Sequence, residues 1–224
     1  FFSVYISSLH IKMPRSNVEL VNFLFRAGRL MNEDVKKAML TVDRGNYCGP
    51  HDPYGDCPQS IGYNVTISAP HMHAMCLDLL KDYLKPGCRA LDVGSGSGYL
   101  TACMAVMCGQ AHGIEYIPEL VPISIANVKK DGKSDLLDGK TLTFQHGDGS
   151  KGLPSFGPYD SIHVGAAAPQ LPEALVEQLA APGRMIVPVG PQWGAQELVV
   201  VDKDAAGNVT QRTECGVRYV PLHM

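Results

Sequence analysis

The chain has 224 residues, a length that holds one domain or at most two small ones. Nineteen Lys and Arg against 22 Asp and Glu leave a formal net charge of −3, which removes the bulk attraction that a nucleic-acid or anionic-membrane binder needs. Apolar residues at 45% support one sizeable core and exclude general disorder, and no stretch approaches the ~18 consecutive apolar residues of a membrane span, so the chain reads as soluble.

Seven cysteines, odd in number and without a C-x-x-C pair, read as small apolar residues in a reducing, cytoplasmic setting. Residues 1–12 read as a tail or the remnant of a targeting segment, and 13–224 as one domain: helices and a loop over 13–70, an α/β core over 71–224.

Ser16 followed by Glu19 is a capping-box pattern, and Leu20, Val21, Leu24 and Phe25 form a helical stripe that stops at Gly28. A second short helix is predicted from Asn32, with Val35, Met39 and Val42 at i, i+4 and i+7. Residues 43–70, with Pro53, Pro58 and Pro70 among several glycines, read as a long irregular segment, either a functional loop or a surface linker. Ser68-Ala69-Pro70 then opens a helix whose apolar face is Met72, Met75, Cys76, Leu79 and Leu80, and Pro86-Gly87 ends it. From there, apolar runs at 89–93, 110–115, 142–146, 161–164 and 184–189 alternate with helical patterns at 99–107, 119–130 and 172–179. Such alternation predicts an α/β fold, a parallel sheet with helices on both faces. Two last runs, 197–202 and 217–222, are expected to add antiparallel strands at the sheet edge.

The strongest local signal is Leu91-Asp92-Val93-Gly94-Ser95-Gly96-Ser97-Gly98-Tyr99-Leu100, a strand entering a glycine turn that a helix leaves. A dinucleotide turn needs Gly or Ala where this chain has Tyr99, a P-loop needs a lysine, and a nucleophile elbow needs serine where Gly96 stands. What remains is G-x-G-x-G with Asp92 two residues ahead, a carboxylate that would repel pyrophosphate and suit a cationic ligand such as S-adenosylmethionine. Glu115 and Asp148 end the next two strands, where one could accept ribose hydroxyls and the other an adenine amino hydrogen. Taken singly, each acid also fits a solvated strand end; three in succession favour the adenosine reading.

This pattern resembles the class I S-adenosylmethionine-dependent methyltransferases. More narrowly it resembles the protein-L-isoaspartate (D-aspartate) O-methyltransferases, through Pro58–Gly62, Thr66–His73, the glycine turn, His163–Pro169 and Pro188–Pro191. The resemblance spans 16–222 and implies a doubly wound, mostly parallel, seven-stranded Rossmann-like methyltransferase sheet with N-terminal helices and an antiparallel C-terminal edge. It implies methyl transfer from S-adenosylmethionine, leaving S-adenosylhomocysteine, to the free α-carboxylate of isoaspartyl, and also D-aspartyl, residues in damaged proteins. By the same resemblance Ser68 is the catalytic hydroxyl and touches the cofactor, with Val65, Thr66 and Ile67 lining the cofactor and substrate cleft beside it. Asp92, Gly94, Ser95 and Gly96 hold the methionine end, Glu115 and Tyr116 the ribose, Asp148 and Gly149 the adenine edge, and His73 and His223 add cofactor contacts. Ser60, Val220 and Leu222 shape the peptide groove. Read from the residues alone, Ser68 is equally a helix N-cap and His73 a boundary residue. His71, His73 and Cys76 lack a fourth ligand, so no metal is expected. Glu115 departs from the Asp of animal members. The implied protein is a monomer that engages neither nucleic acid nor membrane. The rival readings are another carboxyl methyltransferase, a non-catalytic binder of the same cofactor, and a dinucleotide oxidoreductase, the last opposed by Asp92 and Tyr99.

Overall fold

The computed structural model describes residues 13–192 and 194–222, so the expectations for residues 1–12 and for His223 lie outside the described residues. Helix α1 (Asn17–Arg26) begins where Ser16 Oγ accepts the Glu19 N–H at 3.2 Å, and α2 (Glu33–Thr41) where the Asn32 side chain accepts from Asp34 and Val35. The second arm of the capping box is shifted by one residue, since the Glu19 carboxylate accepts from the Arg15 N–H at 2.9 Å.

The segment expected to be irregular contains a hairpin, β1 (Gln59–Gly62) and β2 (Val65–Ile67), turned through Tyr63 and Asn64, both at positive φ. Its strands are only four and three residues long, too short for their alternation to stand out in the sequence. Helix α3 (Pro70–Leu80) starts as expected, with Pro70 in the first turn, but the capping position falls to Ala69 and no side chain caps it. Ser68 is therefore not a cap. The buried stripe of α3 is also turned from the expected one: His73, Ala74, Cys76, Leu77 and Leu80 are buried, while Met72, Met75 and Leu79 are only partly so. The helix buries two polar groups that an apolar pattern cannot register, His73 and Asp78. The Asp78 carboxylate accepts the N–H groups of Met31 (2.9 Å) and Asn32 (3.2 Å), tying α3 to the entrance of α2.

The main sheet is the expected seven-stranded one. Its strands are β3 (Ala90–Val93), β4 (Ala111–Glu115), β5 (Leu142–His146), β6 (Tyr159–Val164), β7 (Leu179–Val189), β8 (Gln196–Lys203) and β9 (Val209–Val217). They lie in the order β5-β4-β3-β6-β7-β8-β9; the first five are parallel and the last two antiparallel. Between the strands run α4 (Tyr99–Cys108), α5 (Leu120–Lys130), the short α6 (Ser134–Asp138), which carries no sequence signal, and α7 (Glu173–Gln178). The final strand corrects the reading of 217–222: β9 is 209–217, an exposed edge strand of polar residues without apolar alternation. Residues 219–222 instead turn back to the parallel strands, where Val220 accepts the Ala167 N–H and the Leu222 N–H reaches the Ala167 carbonyl, both at 2.8 Å.

Side-chain alternation along the strands feeds two cores. Leu91, Val93, Ile162, Val164, Met185 and Val187 pack with Leu175 of α7, whereas Ala90, Ile186, Leu198 and Val200 join the larger core under α1 to α4. The strand order reverses between β3 and β6, opening a crevice at their carboxyl ends, where open α/β sheets bind ligands.

Candidate active site

The glycine turn sits over that crevice. Three of its N–H groups are already engaged: Gly94 and Ser95 donate to the Ile114 carbonyl at 2.8 and 3.2 Å, and Gly96 donates to Glu115 Oε2 at 2.7 Å. Gly94 and Gly96 adopt positive φ, and a Cβ on Gly96 would meet the Ile61 side chain of β1 at 3.3 Å. A phosphate cradle needs free N–H groups, and the engagement of these three argues against one. The other Glu115 oxygen accepts the Ile117 N–H at 2.9 Å, which leaves lone pairs on both oxygens for hydroxyl donors.

Asp92, 1% exposed, points toward α4 and is held on both oxygens: His163 Nδ1 lies 2.7 Å from Oδ1, and Thr101 Oγ1 donates to Oδ2 at 2.5 Å. Burial alone would depress the His163 pKa, but its interactions with Asp92 first, and with Cys76 beside it, outweigh that and push it up to about 10. His163 is thus an imidazolium at neutral pH. The negative charge that the sequence reading offers to a cationic ligand is therefore first compensated inside the protein, by a residue the sequence reading left without a role.

His73 is held the opposite way. Burial comes first, then the positive charges of Arg44 and His163, and its pKa falls well below the ordinary value. Arg44, fully buried, brings Nη1 to 3.4 Å from His73 Nδ1. A guanidinium can only donate, so Nδ1 must accept and the neutral ring carries its proton on Nε2. Arg44 itself is anchored by Nε donation to the Pro53 carbonyl at 3.2 Å and lies 5.7 Å from the centre of the Tyr99 ring. It comes from the segment read as irregular, where nothing in the local pattern marks a buried cation.

Three cavities meet here, of about 720, 330 and 40 Å³, and Thr66 and Gly165 line all of them. The smallest is bounded by Ile67, Ser68, His73, Asp92, Gly94, Ser95 and Gly96. Within it Ser95 Oγ is buried with no hydrogen-bond partner among the described residues, a polar atom that fits a polar ligand. The 330 Å³ cavity is bounded by Val65, Glu115, Tyr116, Gly149 and Leu222. The 720 Å³ chamber lies beyond Ser68, with Val220 shared between it and the second cavity. Ser68 lies on the wall between the smallest cavity and the chamber, and Tyr219, also on the chamber wall, brings its hydroxyl near Ser68 and Cys76.

Two expected residues stay off these walls. Ser60 is exposed and its Oγ accepts the Gly62 N–H at 3.3 Å. Asp148 turns to Ser150, whose Oγ donates at 2.7 Å, and to Lys151 Nζ at 3.1 Å; the Ser150 bond leads in holding its pKa down. Gly149 alone of that pair lines the cavity, and a Cβ there would lie 2.6 Å from Val93 Cγ1. Leu222 borders the 330 Å³ cavity rather than the chamber. No group of three or more His, Cys, Asp or Glu that could hold a metal occurs among the described residues.

The family model of protein-L-isoaspartate(D-aspartate) O-methyltransferase matches residues 15–224. Arabidopsis thaliana protein-L-isoaspartate O-methyltransferase 1 is 53% identical over 210 residues, covering 92% of this chain and 90% of the relative. The Caenorhabditis elegans protein-L-isoaspartate O-methyltransferase is 45% identical over 210 residues, with 92% of each chain covered. Among solved structures, one from Plasmodium falciparum, described as a protein-L-isoaspartate O-methyltransferase in complex with S-adenosyl-L-homocysteine, superposes with a TM-score of 0.85. It is 38% identical over 94% of this chain and 99% of that one.

Proposed function

The chain belongs to the protein-L-isoaspartate(D-aspartate) O-methyltransferase family, and from that premise we infer that its three-cavity cleft methylates the free α-carboxylate of isoaspartyl residues in damaged proteins. The observation that carries the assignment of roles is the junction at Thr66 and Gly165, where a donor pocket and an acceptor chamber share one wall.

S-adenosylmethionine, when bound, supplies a methyl group on a sulfonium. The chain's residues suit each part of it. Glu115 can accept from both ribose hydroxyls, Tyr116 and Gly149 flank the same cavity, and Gly94, Ser95 and Gly96 leave room for the methionine end. Ser95 Oγ and the Nε2–H of His73 are donors on the small pocket for a carboxylate. Asp92 serves chiefly through its pair with His163, and Asp148 through the turn it holds with Ser150 and Lys151 rather than by facing the adenine.

The acceptor needs no base, because an α-carboxylate with an ordinary pKa of ~3.3–3.7 is already ionised near neutral pH. The protein's task is alignment and exclusion of water. A neutral hydroxyl does this best, since it donates to one carboxylate oxygen without holding the negative charge away from the reaction. Ser68 has that position, with the Tyr219 hydroxyl beside it. Val220 borders the peptide side; Ser60, although paired with Thr66, does not line the chamber.

The seven free thiols, three of them buried, support a cytoplasmic setting. The reading has 13–224 acting as a single domain and a monomer without nucleic acid; light scattering of the purified chain tests the monomer. The central experiment gives the protein matched isoaspartyl and aspartyl peptides with methyl-labelled S-adenosylmethionine. Label should enter the isoaspartyl peptide alone. Equal labelling would remove the substrate assignment, and donor binding without any transfer would make the protein a non-catalytic binder.

A further inference from the structure

The methylated carboxylate is the one free carboxyl group that an isoaspartyl linkage creates, and Ser68 lies deep enough to receive it. The chamber's rim carries a second recognition element. Among the described residues that line the 720 Å³ chamber none is Asp or Glu, and the single Lys or Arg is Arg218. His71, also on the wall, is matched by Asp56, whose Oδ1 lies 2.9 Å from its Nδ1, and Arg29 neutralises the same carboxylate. Arg218 is exposed and has no ion pair or side-chain hydrogen bond among the described residues, whereas Arg184 and Arg212, toward the other end of β8, both pair with Asp202.

The backbone that presents this guanidinium is fixed. Gln196, 2% exposed, clamps the next residue from both sides: its Oε1 accepts the Tyr219 N–H at 2.7 Å and its Nε2 donates to the Tyr219 carbonyl at 3.2 Å. One residue further, Val220 is bonded to Ala167. A long cationic side chain on a bolted strand end, at the mouth of a chamber without a compensating carboxylate, is a built electrostatic filter.

We propose that Arg218 is a specificity determinant that favours isoaspartyl sites flanked by an acidic side chain and disfavours those flanked by a basic one. This rests on the substrate reading given above. It needs an anion other than the reacting carboxylate, because an exposed rim cation holding the reacting group would compete with methylation at Ser68. Flanking Asp or Glu, or a nearby chain-terminal carboxylate, has that chemistry.

The test uses three isoaspartyl peptides that differ at one flanking position, Glu, Gln or Lys, made in an N-terminal and a C-terminal flank series. Relative kcat/KM is read by competition within one reaction, so loss of overall activity cancels. The Glu peptide should exceed the Lys peptide by about tenfold at low ionic strength in at least one series, with most of the preference lost in 0.5 M salt. R218A should bring the ratio close to one and R218E should invert it. A wild-type ratio at or below one in both series, or a ratio that R218A leaves unchanged, overturns the proposal. Failure of the underlying reading looks different: no isoaspartyl peptide, including the Gln member, would then be methylated in preference to its aspartyl isomer.

Discussion

The buried pair of His163 and Asp92 makes the stability of this protein depend on pH in a window that can be isolated. The His163 pKa is about 10 in the folded chain against an ordinary value near 6.5. A raised pKa means that the folded state holds the proton more tightly. The stabilisation is therefore complete below pH 6.5 and is lost as pH rises toward 10. Between pH 6.5 and 8.5, with 1.36 kcal/mol per pKa unit, the linkage relation gives a loss of about 2 kcal/mol. Other groups act outside this range. His73 and His112, lowered chiefly by burial, cost stability only at or below their unfolded pKa of about 6.5. Cys103 and Cys108, raised by burial to about 12, add a further fall only where unfolded thiols ionise, above about pH 8.5. The assay is urea unfolding followed by far-ultraviolet circular dichroism at four pH values for wild type and His163→Gln, which keeps a donor for Asp92 but cannot carry its charge. Wild type should lose about 2 kcal/mol across the window and the variant almost none. Parallel pH profiles in the two proteins would refute the assignment of a charged imidazole to this pair.

Three further outcomes are expected. Ser68→Ala should lower kcat about tenfold or more, with cofactor affinity and melting temperature nearly unchanged, as measured by labelled-methyl transfer, calorimetry and thermal unfolding. Glu115→Gln sets an amide N–H against the N–H of either Gly96 or Ile117, since both carboxylate oxygens now accept; calorimetry should find S-adenosylmethionine affinity reduced about tenfold. Gly149→Ala brings a Cβ to 2.6 Å from Val93 Cγ1, inside a packed core, and should destabilise by about 1–3 kcal/mol in urea unfolding.

How much of this was legible in the sequence varies with the range of the interaction. The parallel strands could be read because β3 and β4 are buried on both faces and appear as short apolar runs between glycines. The glycine turn could be read because backbone geometry demands those residues locally. The edge strand β9 was misplaced because an exposed polar strand leaves no apolar alternation, and the hairpin β1–β2 was missed because seven residues split between two short strands leave too little pattern. Site chemistry divided in the same way. Residues on the turn and beside it fell on the cavity walls, whereas the tuning pairs, Arg44 with His73 and His163 with Asp92, join positions 29 and 71 apart in the chain. Their effect depends on burial and distance, which no local spacing encodes. Asp148 shows the converse: a residue type well suited to an adenine edge is drawn aside by a neighbour two positions away.

The walls of the cleft come from opposite ends of the chain, Val65 to Ser68 on one side and Tyr219 to Leu222 on the other, with the sheet folded between them. Every strand of the sheet is formed by Val217, so the architecture is complete before the wall at Tyr219 to Leu222 is added. A form clipped just after β9 should therefore keep its fold and lose the enclosure in which a reaction could take place.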